Sequence, residues 1–221
     1  MSGDLPEIAV IVPAFNAEPF IERCLRSLFS QTMDEARYKV VVIDDGSSDN
    51  TYQIVQRYFP DVLLLQNKEN RGLAKSLNIG ITALSSQYVV RVDADDFVDS
   101  RFLEYLLFAI MQNVEYDAVA CDYYRVKENE ERLDLCRSNE NPVGCGIIFR
   151  RDKIMMLGLY DEDFRAREEE DLMHRFFTAG YNLLHLPLPL YRYRQTTNSI
   201  TSNKDLMDEF ETKLVKKKEQ N

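Results

Sequence analysis

The first half of the chain repeats one pattern: a short β-branched apolar run that ends in a polar cluster, followed by a helical segment. The runs are Ile8–Val12, Tyr38–Ile43, Val62–Leu65 and Val89–Val92. Their length and β-branched content suit buried strands rather than helices. Helical spacing over 17–30 comes from Phe20, Ile21, Cys24, Leu25, Leu28 and Phe29, with Asn16 as the expected N-cap and Pro13 as the expected stop of the first strand. Further helices are expected over about 50–58 and 73–84. Strands alternating with helices imply right-handed crossovers, and so an α/β fold with a mainly parallel sheet covered on both faces. Ligands of such sheets sit beyond the carboxyl ends of the strands. Three polar clusters occupy those ends: Pro13-Ala14-Phe15-Asn16, Asp44-Asp45-Gly46-Ser47 and Asp93-Ala94-Asp95-Asp96.

The last cluster carries the most chemistry. If the fourth strand runs on through it, Asp93 and Asp95 share one face and Asp96 takes the other. Two same-facing carboxylates at a strand end can hold Mg²⁺ or Mn²⁺, leaving the remaining positions for water or a ligand's phosphates. The competing reading is an acidic turn that caps the next helix.

The second half changes character. A helix is expected over Arg101–Gln112, with Phe102, Tyr105, Leu106, Phe108 and Ala109 inward. Tyr116–Val126 reads as an aromatic strand, and the charged stretch 127–140 as a hairpin tip or mobile loop. Asn141–Gly146 is a tight turn into a strand over Ile147–Arg150. Arg165–Gly180 has an acidic start, Leu172, Met173, Phe176 and Phe177 inward, and a Gly stop, which is the order of a helix. Two closing strands, Tyr181–Leu186 and Leu190–Tyr193, are separated by Pro187 and Pro189. No repeat or linker marks a domain boundary.

Composition removes several classes of function. A net charge of −10 lacks the basic footprint of a nucleic-acid binder. Four cysteines without a CxxC pair, and two histidines, do not make a zinc site; thiols in a reducing cytosol are expected. The first residues do not read as a signal peptide, and no apolar run is long enough to span a bilayer. The chain therefore reads as a cytoplasmic protein.

Five segments in register, Ile8–Asn16, Val41–Asp49, Asn70–Gly80, Asp93–Asp96 and Glu168–Gly180, resemble the family 2 glycosyltransferases with the GT-A fold. The resemblance runs from about Ile8 to Ser199. It implies an inverting transfer from a nucleotide diphosphate sugar, UDP-linked by preference, to a glycan or lipid-linked acceptor hydroxyl, commonly in bacterial surface polysaccharide or glycoconjugate synthesis. It also implies one domain over 1–203, with a nucleotide-binding half (7–98) and an acceptor-binding half (99–203). The tail, 204–221, is expected as an amphipathic helix. Its stripe of Leu206, Phe210 and Leu214 would pack on the body, or its Lys216-Lys217-Lys218 end would touch an anionic membrane.

Carried over residue by residue, the resemblance puts Pro13, Ala14, Phe15 and Asn16 on the nucleoside, and Asp45 on the base edge. Arg71 and Lys75 fall near the base or phosphates. Many relatives carry an Arg before the Asn of this helix, where this chain has Leu77, so the work falls to Arg71 or Lys75. Asp93 and Ala94 adjoin the donor, and the cation, Mn²⁺ or Mg²⁺, belongs to Asp95 and Asp93. The catalytic base aligns with Glu169, one methylene longer than the family's aspartate, and a register shift of one residue would hand the role to Glu170. Relatives often have a His where Thr196 stands. Two other readings compete: a nucleotide-sugar-binding protein without catalysis, suggested by Glu169, and a phosphatase using Asp93 as nucleophile. The latter class carries its motif on the first strand, not the fourth.

Overall fold

The computed structural model describes residues 5–196 and 204–219. Four strands, β1 (Ile8–Ala14), β2 (Tyr38–Asp44), β3 (Val62–Gln66) and β4 (Tyr88–Arg91), pair in parallel in the order β3-β2-β1-β4. The helices between them are α1 (Ile21–Leu28), α2 (Thr51–Gln56) and α3 (Leu73–Ala83). This half follows the expected crossovers.

Side chains along these strands alternate between two cores, as period-two geometry requires. Ile8, Val10, Val12, Val40, Val42 and Val90 join α1 and α4 (Phe102–Gln112) on one face. Ala9, Ile11, Val41, Ile43 and Val89 join α3, α5 (Arg151–Met156) and α6 (Glu168–Thr178) on the other. A sheet buried on both faces explains why its strands read as continuous apolar runs.

The same sheet continues into the second half. β8 (Ile147–Arg150) runs antiparallel between β4 and β6 (Ala118–Val126), and β6 pairs in parallel with β9 (Leu183–Arg194). β5 (Phe97–Val98) closes the far edge on β9, and β7 (Arg132–Cys136) forms a hairpin with β6. The charged stretch 127–140 is thus partly strand. α7 (Lys204–Glu219) lies against the body, with Phe210 and Leu214 buried beside Phe164 and Ala166. Leu206's side chain and residues 197–203 lie outside the description. All four cysteines are buried thiols.

Several expectations are corrected. Pro13 does not stop β1, which runs to Ala14. Pairing of β4 with β1 ends at Ile11↔Arg91, so the missing N–H of Pro13 interrupts no ladder on that side. Asn16 is not an N-cap: its φ is +48°, and α1 begins only at Ile21 after a turn closed on the Ala17 carbonyl. The two closing strands are one, β9, whose pairing with β6 shifts register around Pro187 and Pro189. Phe108 and Phe177 point outward, 65% and 55% exposed, because Leu107, Ile110 and Leu172 fill the inward positions instead. α5 had no sequence signal strong enough to announce it.

Candidate active site

Parallel β1, β2, β3 and β4 deliver their following loops to one edge of the sheet, where three of them are laced together. Asn16 N–H donates to the Ser47 hydroxyl (2.9 Å), and Asn16 Oδ1 accepts from Ser48 N–H (2.9 Å). Ala17 N–H donates to Thr51 Oγ1, and Glu18 N–H to Asp49. The left-handed Asn16 turns its side chain across to the loop after β2. Gly46, at φ +75°, lets the 67–72 loop come close: a Cβ there would lie 2.6 Å from the Glu69 carbonyl carbon. Within this frame Phe15 stands half out, 49% exposed.

Asp45 is nearly buried and holds the 67–72 loop. Its Oδ1 accepts from Asn67 Nδ2 (2.7 Å) and Arg71 N–H (3.0 Å), and its Oδ2 from Gly72 N–H (2.9 Å). A carboxylate offers about four lone-pair directions, so acceptor capacity remains for one more donor. The Arg71 side chain is exposed and makes no hydrogen bond or close ion pair among the described residues, although its charge acts on Glu162. Lys75 instead pairs with Glu162 at 2.6 Å. Leu77 is buried in the core beneath α3.

β4 ends at Arg91, so Asp93 to Asp96 form a turn (Asp96 N–H to Asp93 carbonyl, 3.0 Å) rather than strand, and the expected same-face alternation does not apply. Each carboxylate has its own environment. Asp93 receives a two-point ion pair from Arg91, Nε to Oδ1 at 2.6 Å and Nη2 to Oδ2 at 3.0 Å. Asp96 turns inward, accepting from the Tyr191 hydroxyl (2.7 Å) and Arg194 N–H (2.7 Å) and so tying the turn to β9. Asp95 is only partly covered, and its carboxylate takes no bond from any other described residue. Burial, then the neighbouring Asp93 charge, push its carboxyl up to about 6. The Arg194 guanidinium donates to the Asp95 carbonyl (2.7 Å) and stacks near Phe20 and Phe97, which fixes the backbone of the turn.

A partly buried carboxylate without a protein donor, next to a second carboxylate, is a donor set that fits a hard divalent cation. Asp93, Asp96 and Cys145 also bring ligand atoms within 4.8 Å of one another. That trio suits Mn²⁺ or Mg²⁺ less well. Asp96 is already engaged, and burial, followed by the Asp93 and Asp96 charges, holds the Cys145 thiol well above its usual range. Asp93, locked to Arg91, is poorly placed as a phosphatase nucleophile.

α6 brings the acidic cluster to the same edge. Glu168, 3% exposed, accepts from Arg91 Nη1 at 3.1 Å. Glu169 is partly covered; burial, then the adjacent Glu168 charge, push its carboxyl up to about 7, with Arg91 opposing. Glu170 pairs with Arg167 at 2.6 Å. Of the two candidate bases, Glu169 has the environment that raises proton affinity, and Glu170 has a cation that occupies it. Asp171, fully buried, pairs with Arg175 (2.8 Å) and Lys217 (2.6 Å).

The structure thus gathers the residues expected from sequence into two groups. The loops carrying Phe15, Asn16, Asp45 and Arg71 form one, and Asp93 and Asp95 with the start of α6 form the other. Missed from sequence were Arg91, Glu168, Asp96 and Tyr191. An Arg inside an otherwise apolar buried strand was the available signal, since such a charge must be paired.

A model of the family described as Glycosyl transferase family 2 matches residues 9–173. Among curated relatives, the uncharacterized glycosyltransferase EpsJ of Bacillus subtilis (strain 168) is 28% identical over 93% of this chain and 66% of its own length. Glycosyltransferase GlyG of Streptococcus pneumoniae serotype 4 is 25% identical over 87% of this chain and 72% of its own. The fold is shared with the mannosyltransferase PcManGT of Pyrobaculum calidifontis, solved with GDP-Man and Mn²⁺ (TM-score 0.78, 21% identity, 98% of this chain, 65% of that one). It is also shared with S. aureus TarS 1–349 in complex with UDP-GlcNAc (TM-score 0.75, 21% identity, 89% of this chain, 61% of that one). This chain therefore spans about two thirds of the length of the first of these relatives and of both solved structures. The matched span runs from β1 through the strand-end clusters to the acidic start of α6, and the GT-A architecture agrees with it: the chain belongs to glycosyl transferase family 2.

Proposed function

We propose that this protein transfers a sugar, with inversion, from a nucleotide diphosphate donor to an acceptor hydroxyl on a glycan or lipid-linked acceptor, in bacterial surface polysaccharide or glycoconjugate synthesis. The observation that carries this reading is Glu169: a carboxyl raised to about 7, beside the Arg91 that grips Asp93. A general base works best with a pKa near the operating pH.

In this reading Phe15 covers the base, and the free acceptor capacity of Asp45 receives a ring N–H. Uracil N3–H and guanine N1–H can both donate there, and adenine and cytosine cannot; of the two we take uracil, the base in the TarS complexes with UDP and UDP-GlcNAc, while PcManGT is solved with GDP-Man. Pro13, Ala14 and Asn16 wall the nucleoside. Arg71, whose side chain makes no hydrogen bond or close ion pair among the described residues, takes phosphate charge, and Lys75 would do so only by leaving Glu162. Asp95, with Asp93 and with Ala94 between them, would hold Mn²⁺ or Mg²⁺, which when bound would supply positive charge to the departing diphosphate. Glu169 accepts the acceptor hydroxyl proton as that oxygen bonds the anomeric carbon. The bond to phosphate breaks on the opposite side and its electron pair leaves with the diphosphate. One displacement inverts the centre.

No helix among the described residues is long and apolar enough to cross a membrane. A cytoplasmic enzyme touching an anionic membrane surface would rely on Lys216 and Lys218, since Lys217 is paired internally and Phe210 and Leu214 are buried.

The test is a panel of nucleotide sugars with Mn²⁺, read by thermal shift and by turnover with extracts containing acceptor. We expect UDP-linked donors to stabilise wild type, and Asp95→Ala to remove Mn²⁺-stimulated UDP binding while still folding. Equal UDP affinity with and without EDTA in wild type would overturn the metal assignment.

A further inference from the structure

Arg91 closes a strand whose neighbouring residues Val89, Val90 and Val92 are all buried. Its side chain is only 11% exposed. It faces two carboxylates, Asp93 two residues on through Nε and Nη2, and Glu168 77 residues on through Nη1. One belongs to the turn after β4, the other to the first turn of α6. Gly144 closes the remaining side. A Cβ there would lie 2.9 Å from Arg91 Nη1 and 2.8 Å from Glu169 Cβ, so any side chain at this position would press on the guanidinium and on Glu169.

We propose that Arg91 is a positioning residue that couples the donor carboxylate Asp93 to the helix carrying the base Glu169. The inference rests on the roles proposed above for those two residues. A guanidinium is a rigid planar fork, so the two-point grip on Asp93 and the single bond to Glu168 fix each other's direction. Each Asp93 oxygen accepts one bond from Arg91 and keeps a lone pair for a cation or for water on that cation. Removing Glu168's charge hands the guanidinium to Asp93 alone and makes Asp93 a poorer ligand. Burial alone would favour loss of the Arg91 charge, yet Asp93 and Glu168 together hold its pKa well above the usual value, so it stays cationic throughout.

The test measures UDP affinity with and without Mn²⁺, and kcat at saturating donor, in wild type, Glu168→Gln, Arg91→Lys and Gly144→Ala. Glu168→Gln should weaken Mn²⁺-dependent UDP binding by about 3–10-fold, although Glu168 does not touch the donor. Arg91→Lys, which cannot form the fork, should change both affinity and kcat. Gly144→Ala alters no charge and wedges between Arg91 and Glu169; it should lower kcat at least tenfold and shift Mn²⁺-dependent affinity as well. It decides the matter if a charge variant does not fold. An affinity within twofold of wild type in folded Glu168→Gln, or a Gly144→Ala protein changed in only one parameter, overturns the coupling. A wild type that shows no Mn²⁺-dependent UDP binding overturns the functional reading instead.

Discussion

Lys217, near the end of α7, lies 2.6 Å from Oδ1 of the fully buried Asp171, two residues after Glu169 on α6. Lys217 also pairs with Asp161, and Arg167 at the foot of α6 reaches across to Glu211. Together with Phe210 and Leu214 these contacts make the last helix a brace for the one that carries Glu169. Lys217→Ala leaves Asp171 with Arg175 only. Removing one partner of a buried pair is costly, and allowing for the partial exposure of Lys217 we expect a loss of about 1–3 kcal/mol. Urea unfolding checks this: the midpoint should fall with an unchanged slope, and an unchanged midpoint would show that the brace carries no load.

Asp45 has two consequences when removed. Asp45→Ala strips the acceptor from Asn67 and from the N–H groups of Arg71 and Gly72, so the 67–72 loop should loosen and the melting temperature fall. UDP binding should also weaken, by about 1.5–3 kcal/mol if the carboxylate accepts a base N–H. Free Mn²⁺ binding should be unaffected. Titration calorimetry with UDP and with Mn²⁺ separates these effects. Wild-type UDP affinity in the mutant would leave Asp45 as a loop anchor alone, and preference for a purine nucleotide would displace uracil.

The raised Glu169 carboxyl predicts two opposite pH trends. In the proposed role of base Glu169 must be anionic, so kcat/KM should rise with pH through about 7. Stability moves the other way. The unfolded carboxyl titrates near 4.5 and the folded one near 7, so between those values the native state holds the extra proton. This group's contribution is therefore full below about 4.5 and is lost as pH rises through about 7. Asp95, raised to about 6, acts in the same sense over a narrower window. Denaturation from pH 4.5 to 8 should show Glu169→Gln losing less stability across the range than wild type does.

The parallel half of the fold was legible because each strand and helix there is announced by its own local pattern, and consecutive elements pair or pack together. β8 was visible as a strand, but nothing local says that it inserts between β4 and β6. That choice depends on partners far away in sequence. The prolines of β9 suggested a break, whereas the strand absorbs them by shifting register. At the site, the acidic residues could be recognised by type and spacing, but their division of labour could not. Arg91 grips Asp93, Tyr191 and Arg194 hold Asp96, and Arg167 occupies Glu170. The environments of Asp95 and Glu169, which the resemblance had already singled out, become readable only once those partners are placed.

Glu169→Gln tests the central claim most directly. The amide keeps the size of the side chain and removes its basicity. Donor affinity, measured as UDP binding with Mn²⁺, should stay within about twofold of wild type, while transfer falls by roughly 10²–10⁴-fold. Glu170→Gln, measured in parallel, should lose much less. Near-normal turnover in Glu169→Gln would contradict the account, and a large loss confined to Glu170→Gln would move the base by one residue.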